Sequence, residues 1–184
     1  MIDQKTKDLI LYLVNELKDK EDFGATLLNK TLLYIDFLHY YNTGKPLTSF
    51  EYIHQQYGIT PKFNQLQPII NELIAEKKIK REVKKIGTKD AKKLVPEGMI
   101  EYPQFSETEA KTILEGINYI RDKNASEMTD NHHRGLAWRL TKGFENIPFN
   151  ALLLTKSDEI TDEDLEWINN SFKNWQNRAN YTKL

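Results

Sequence analysis

The stretch NKTLLYIDFLHYYNTGKP, residues 29–46, decides the fold because it predicts one long apolar helix that ends in a sharp turn. Leucine, isoleucine and aromatic side chains recur on most sides of a helix over residues 25–42. A helix that is hydrophobic nearly all round is usually central and buried. Gly44 is the predicted left-handed cap of this helix, and Pro46 lies just beyond it. The sequence therefore predicts a domain built around this segment.

Shorter amphipathic patterns on both sides of the apolar helix predict a mainly α fold. Ser106 and Glu109 form a capping box that opens one of these helices. The predicted flanking helices cover residues 4–20, 62–76, 106–122 and 125–131, a short piece in IPFNALLL, and a last helix capped by Thr161. We expect a compact helical domain with one small β-hairpin inserted after the third helix. We divide the chain into an N-terminal helix (1–22), a central domain (23–155) and an acidic, aromatic C-terminal helix (156–184) packed on or beside it.

Length and composition limit the class of protein. A chain of 184 residues with a net charge of -1 can bury roughly 70% of its unfolded surface, so it needs no covalent staples. The absence of cysteine excludes disulfides, thiolate zinc sites and a cysteine nucleophile, and it suits a reducing compartment. No segment approaches the ~20 apolar residues of a membrane span, and the N-terminus lacks a signal-peptide pattern. We therefore expect a cytoplasmic protein without a membrane partner.

The polar residues of the opening stretch resemble two kinds of site, a phosphate loop and a metal site. The TGKP sequence resembles a phosphate loop only at its Gly-Lys pair, because His39 stands at the first glycine position and Pro46 stands where a hydroxyl is required. Asp36 and His39 are three residues apart and could converge on a metal, with His54, His132 and His133 as further ligands. The alternative is that Asp36 is a buried carboxylate that accepts hydrogen bonds from the following loop or from Tyr52. We favour this alternative and predict no metal.

No pattern of nucleophilic or acid–base catalysis is apparent. The chain lacks a G-x-S-x-G elbow, and its serines occur at caps or in loops. The acidic stretch DEITDEDLE has the composition of a helix N-terminus, where carboxylates interact favourably with the helix dipole. We therefore predict neither an enzyme nor a cofactor.

A basic hairpin is the strongest charge signal in the chain. Residues 77–93 hold nine Lys or Arg against Glu82 and Asp90. Helix, helix and basic hairpin is also the order of a winged helix-turn-helix, so a DNA-binding regulator is the alternative function. Lysines on an edge strand can equally serve only to prevent aggregation. The possible DNA contacts are Lys80, Arg81, Lys84 and Lys85.

Two separated blocks of sequence resemble the Panacea family, whose members are SocA-like, phage-associated antitoxin domains. The first block is LNKTLLYIDFLHYYNTGKPLTSFEYIHQQYGITP, and the second is NASEMTDNHHRGLAWRL. Together they place the resemblance at about residues 23–155. The family-motif positions to which we assign a structural role are Asn29, Lys30, Asp36, Gly44, Pro46, Gly58, Pro61, His132 and Trp138.

The resemblance implies an antitoxin that binds and neutralises a cognate toxin encoded nearby, in a toxin–antitoxin system of prophage type. Such binding requires exposed anchors, and aromatic side chains commonly serve as anchors at protein interfaces. We therefore take aromatic residues of the motif loop and of the C-terminal helix as candidates. The toxin-binding candidates are Tyr52, Tyr57, Phe63, Trp167 and Trp175.

Overall fold

The computed structural model of the chain describes residues 3–86, 89–98, 103–128 and 135–153, together with residues 166, 167 and 170. The chain divides into two compact units, Met1–Leu154 and Thr155–Leu184. The N-terminal helix belongs to the first unit, and so do all the elements named below. In the second unit, residues 166 and 167 are helical and exposed.

The described part of the chain is mainly helical, as the sequence predicts. The helices are α1 (Gln4–Glu16), α2 (Ala25–Thr43), α3 (Phe63–Ala75), α4 (Glu107–Arg121), α5 (Leu136–Arg139) and α6 (Phe149–Leu152). A helical turn also covers residues 125–128. The first helix ends earlier than predicted, because the backbone of residues 17–19 forms a turn rather than a further helical turn.

Helix α2 is the central element of the first unit, in agreement with its apolar sequence. Leu27, Leu28 and Leu32 are completely buried on it. Gly44 ends the helix with a φ of 76° and donates its backbone N–H to the Tyr40 carbonyl at 2.8 Å. The predicted left-handed glycine cap is therefore confirmed, and it turns the chain sharply into the loop that follows.

Helix α4 packs closely on α2 because one of its residues has no side chain. A Cβ atom on Gly116 would overlap the Cγ1 atom of Ile35 on α2, so glycine allows this close approach. Ser106 and Glu109 form the predicted capping box at the start of α4. Tyr34 and Tyr119 stack at the same helix pair, with their ring centroids 4.0 Å apart. These contacts fix α2 on one side.

A three-stranded antiparallel sheet lies on another side of α2, and the sequence analysis did not predict it. Its strands are β1 (Tyr52–Gln55), β2 (Gly58–Pro61) and β5 (Asn146–Ile147), in the order β2-β1-β5. A two-residue turn, Gln56 and Tyr57, joins β1 to β2, and Gly58 follows it with a φ of 105°. The expectation of a single small hairpin was therefore wrong, because strands of two to four residues are too short to show a period-two pattern.

A second, two-stranded sheet follows α3 in the chain. It consists of β3 (Ile79–Ile86) and β4 (Lys89–Pro96), which pair antiparallel. The base of this sheet is attached to the connection between α1 and α2, where Leu94 donates its backbone N–H to the Phe23 carbonyl at 2.8 Å. A Cβ atom on Gly24 would overlap the Lys92 carbonyl oxygen, so glycine is needed at this crossing. The hairpin is thus fixed to the helical core at its base.

Candidate partner-binding site

A buried carboxylate joins α2 to the loop after Gly44. Asp36 is fully buried, and its Oδ1 accepts a hydrogen bond from the Thr48 backbone N–H at 2.7 Å. Its Oδ2 accepts bonds from the Thr48 hydroxyl at 2.5 Å and from the Tyr52 hydroxyl at 2.7 Å. The prediction that Asp36 accepts hydrogen bonds from the loop or from Tyr52 is therefore confirmed for both partners.

Burial dominates the electrostatics of this cluster. It raises the pKa of Asp36 above its usual value, and hydrogen bonds from Thr48 and Tyr52 oppose the rise by stabilising the carboxylate. Burial and the neighbouring carboxylate also raise the pKa of Tyr52 well above its usual value, so this phenol keeps its proton. With its oxygens occupied by donors from Thr48 in the loop and from Tyr52 on β1, Asp36 acts as a clamp that holds both segments on α2.

His39 makes a separate contact at the end of α2. Its Nδ1 lies 2.7 Å from the Lys45 carbonyl oxygen, which can only accept, so Nδ1 carries the proton and donates. The residue therefore supports the Gly44 turn through the backbone. No group of three or more His, Cys, Asp or Glu side chains that could hold a metal occurs among the described residues.

The neighbouring Lys30 links α2 to the turn between β1 and β2. It is only 1% exposed, and its ammonium donates a hydrogen bond to the Tyr57 carbonyl oxygen at 2.5 Å. Burial lowers the pKa of Lys30 to about 8, because the charged form loses its hydration. Lys30 thus fixes the backbone of Tyr57, whose own side chain is 64% exposed.

A cleft of about 270 Å³ opens between α2, the β1–β2 turn and α3. It is called here the motif cleft, because the Asn29–Lys30 pair of the first motif block lines it together with Tyr57 and Pro61. Phe63, at the start of α3, also lines it and is 72% exposed. Two predicted partner anchors, Tyr57 and Phe63, are therefore exposed side chains at one cleft.

Asn29 has an unusual environment in the motif cleft. Its side-chain Oδ1 is buried and finds no hydrogen-bond donor within the part of the chain that the structure describes. Sequence reasoning assigned Asn29 only a structural role beside Asp36. The sequence does not show that strands β1 and β2 bring Gln55 and Thr60 to the same cleft as Asn29.

The remaining aromatic candidates are in different places. Tyr52 is 2% exposed and bonded to Asp36, so its inclusion among the partner anchors was wrong: burial assigns it to the core. Trp167, in the second unit, is 67% exposed. Trp175 and His132 lie outside the described residues. Trp138 donates its indole N–H to the Gln55 carbonyl at 3.0 Å, which is the kind of structural role predicted for it.

The remaining motif positions stabilise turns. Gly58 has a positive φ directly after Tyr57, which glycine adopts without strain. Pro61 ends β2 opposite Tyr52, and Pro46 follows the capping Gly44 by two residues. One exposed aromatic residue was missed by sequence reasoning. Phe144, beside β5, is 76% exposed and has a φ of 67°, which is rare for a bulky residue.

The geometry does not favour the DNA-binding hypothesis. Lys80, Arg81, Lys84 and Lys85 are exposed on β3, yet Lys80 is paired with Glu82 at 3.0 Å. Lys93 is buried and donates to the Lys18 carbonyl, so it is not available to a phosphate. Helix α3, in the position of a recognition helix, carries no basic residue between Phe63 and Ala75. Helix α3 therefore offers no Lys or Arg that could contact phosphate or guanine.

One of three comparisons with known proteins found a match, and it covers the region in which most of these residues lie. The family model of SocA-like antitoxins with a Panacea domain matches residues 28–139, which is more than half of the chain. No curated protein and no solved structure matches the chain. None of the described helices is both long and apolar enough to cross a membrane. The matched region contains the Asp36 clamp and most of the lining of the motif cleft. The chain therefore belongs to the family of SocA-like antitoxins that carry a Panacea domain.

Proposed function

We propose that this protein is the antitoxin of a toxin–antitoxin system and neutralises a cognate toxin by direct, stoichiometric binding. Membership of the SocA-like antitoxin family is the observation that carries this proposal. The proposal further holds that the protein performs no turnover and uses no cofactor. The toxin is expected to be encoded beside it, in a prophage setting.

The surface chemistry supports a binding protein. A stable complex of standard size buries about 800 Å² on each partner, and its energy is concentrated in a few aromatic or arginine anchors. Tyr57 and Phe63 are large exposed side chains, one in a two-residue turn and the other at the first residue of a helix. Trp167, in the second unit, is a further exposed aromatic residue.

The buried polar groups support a fixed scaffold rather than a reactive centre. The Asp36 oxygens are occupied by Thr48 and Tyr52, and the Lys30 ammonium is bonded to the Tyr57 carbonyl. Each of these groups holds one backbone segment against α2. The loop after α2 and the β1–β2 turn are thereby kept in a defined position, which reduces the entropy lost when a partner binds.

Co-expression tests the proposal. The reading frame beside this one should arrest growth when expressed alone, cause no arrest together with this protein, and copurify with it through size-exclusion chromatography. The Asp36→Ala variant, which is expected to lose the loop clamp, serves as a folding-sensitive control. A neighbouring protein that is harmless alone, or one that is neutralised without forming a complex, would contradict the proposal.

A further inference from the structure

The motif cleft has the size of a side-chain socket. Pockets for small molecules and cofactors typically measure ~300–1,000 Å³. The motif cleft measures about 270 Å³ and is open to the surface. A cleft just below the small end of this range can hold one or two side chains of a protein segment. The exposed rings of Tyr57 and Phe63 extend the apolar surface beyond the cleft itself.

The cleft also offers hydrogen-bonding groups that match a peptide backbone. An asparagine side chain is itself an amide, and it can accept a main-chain N–H and donate to a main-chain carbonyl. The Asn29 Oδ1 is buried without a donor from the described residues, and a buried acceptor of this kind is unfavourable until a donor reaches it. Gln55 and Gln67 add two more side-chain amides to the lining.

One wall of the cleft belongs to the edge of a sheet. Strand β2 is a terminal strand in the order β2-β1-β5, and its residues Thr60 and Pro61 line the cleft. An extended segment of a partner can lie along such an edge, where Pro61 has no backbone N–H and offers only its carbonyl oxygen. Among the described lining residues Lys30 is the only charged one, so the surface favours a neutral or acidic segment over a basic one.

We infer that the motif cleft binds an extended, neutral or acidic segment of the toxin, which inserts one apolar side chain between Tyr57 and Phe63 and donates a main-chain N–H to the Asn29 Oδ1. Lys30 is a positioning residue in this arrangement, because it holds the backbone of Tyr57 from inside the protein. This inference rests on the proposed function and adds the surface and the chemistry of the contact.

The first test compares the affinities of variants of the full chain for toxin separated from the copurified complex. Tyr57→Ala and Phe63→Ala should each weaken binding at least about tenfold, as expected for interface anchors. Tyr41→Ala is the matched control, because Tyr41 is 68% exposed on α2 and does not line the cleft. It should bind within about twofold of the wild type. Cleft variants that bind as tightly as wild type would overturn the inference but leave the proposed function intact.

Asn29→Leu separates a binding role from a structural one. If the Asn29 amide forms a hydrogen bond with the toxin, the Asn29→Leu variant should bind the toxin at least about tenfold more weakly. The melting temperature of the free protein should then stay the same or rise, because an unsatisfied buried atom is removed. A large drop in the melting temperature of the free variant would instead assign Asn29 to the scaffold and overturn its place in the contact.

The second test asks whether the bound element is an extended segment. Overlapping 12-residue peptides that span the toxin are added to ¹⁵N-labelled protein. One peptide should shift the side-chain amide signal of Asn29 and the backbone signal of Thr60, and Phe63→Ala should abolish the shift. If cleft variants weaken toxin binding but no peptide moves these signals, the occupant is a folded surface and the extended-segment inference is wrong. If wild-type protein fails to bind the intact toxin, the proposed function itself fails.

Discussion

At the scale of single residues, Asp36 is the polar group on which the loop after α2 depends. Asp36→Ala would leave the Thr48 N–H, the Thr48 hydroxyl and the Tyr52 hydroxyl without their acceptor. We expect the free energy of unfolding to fall by about 2–4 kcal/mol, because buried donors without a partner are costly. Urea unfolding followed by circular dichroism measures this loss.

Two milder substitutions at the same cluster should lower the free energy of unfolding by smaller amounts. Tyr52→Phe removes one donor and leaves the carboxylate with the Thr48 contacts, so it should cost only about 1 kcal/mol. Asp36→Asn should cost less than Asp36→Ala, because the two hydroxyls can rotate to accept from the new amide. An Asp36→Ala protein as stable as wild type would show that the loop is held by other contacts.

Lys30 gives the protein a specific dependence on pH. Its pKa is about 8 in the folded protein and 10.5 in an unperturbed chain, so the unfolded chain binds the proton more tightly. The free energy of unfolding that Lys30 contributes therefore rises as the pH increases from about 8 to about 10.5. Relative to Lys30→Met, wild type should gain about 2 kcal/mol between about pH 7 and pH 9.5.

Urea titrations of both proteins across this pH range measure the difference. Lys111→Met on α4 controls for the loss of a lysine at an exposed position. A difference between wild type and Lys30→Met that stays constant, or falls, with rising pH would contradict the burial of a charged Lys30 ammonium.

At the scale of elements, the contact between α2 and α4 depends on Gly116. Gly116→Ala would place a Cβ atom against Ile35 Cγ1, and overpacking of this kind typically costs about 1–3 kcal/mol. Ile35→Ala removes that atom, and the Ile35 Cβ is 3.7 Å from the new methyl group, an ordinary contact. The double variant should therefore be more stable than the sum of the two single effects predicts.

A double-mutant cycle measured by urea unfolding quantifies this coupling. Gly143→Ala is the control, because a Cβ atom there meets nothing within 4 Å. It should change the free energy of unfolding by no more than about 0.5 kcal/mol. Strictly additive effects at Gly116 and Ile35 would mean that the two helices do not approach each other in this way.

The predictability of the elements follows from their length. Helix α2 and its Gly44 cap are evident in the sequence, because a 19-residue apolar segment and a terminal glycine are local signals. The β2-β1-β5 sheet is not evident in the sequence. Strand β5 has only two residues, and they lie about 85 positions further along the chain than Gly58–Pro61. Tyr52 was misassigned for the same reason: its strand turns the phenol inward to Asp36.

At the scale of the whole molecule, the parts of the site are predictable to different degrees. The motif blocks identify Asn29, Lys30 and Asp36 as important, and the apolar surroundings of Asp36 indicate a buried carboxylate. The motif cleft itself depends on β2 and α3 lying against α2, which no local pattern encodes. Phe144, with its rare φ, could be found only from the backbone. Family membership was predictable through the resemblance of the two motif blocks to the Panacea family, and the family model matches residues 28–139.

The dependence of toxicity on the ratio of the two proteins tests the central claim most directly. The toxin is expressed at a fixed level, the antitoxin is varied, and both are quantified by mass spectrometry while growth is recorded. Direct binding predicts that growth recovers only as the antitoxin approaches a stoichiometric amount, with unmodified toxin in the complex. Full protection at a strongly sub-stoichiometric level, or recovery of chemically modified toxin, would show catalytic turnover and contradict the account.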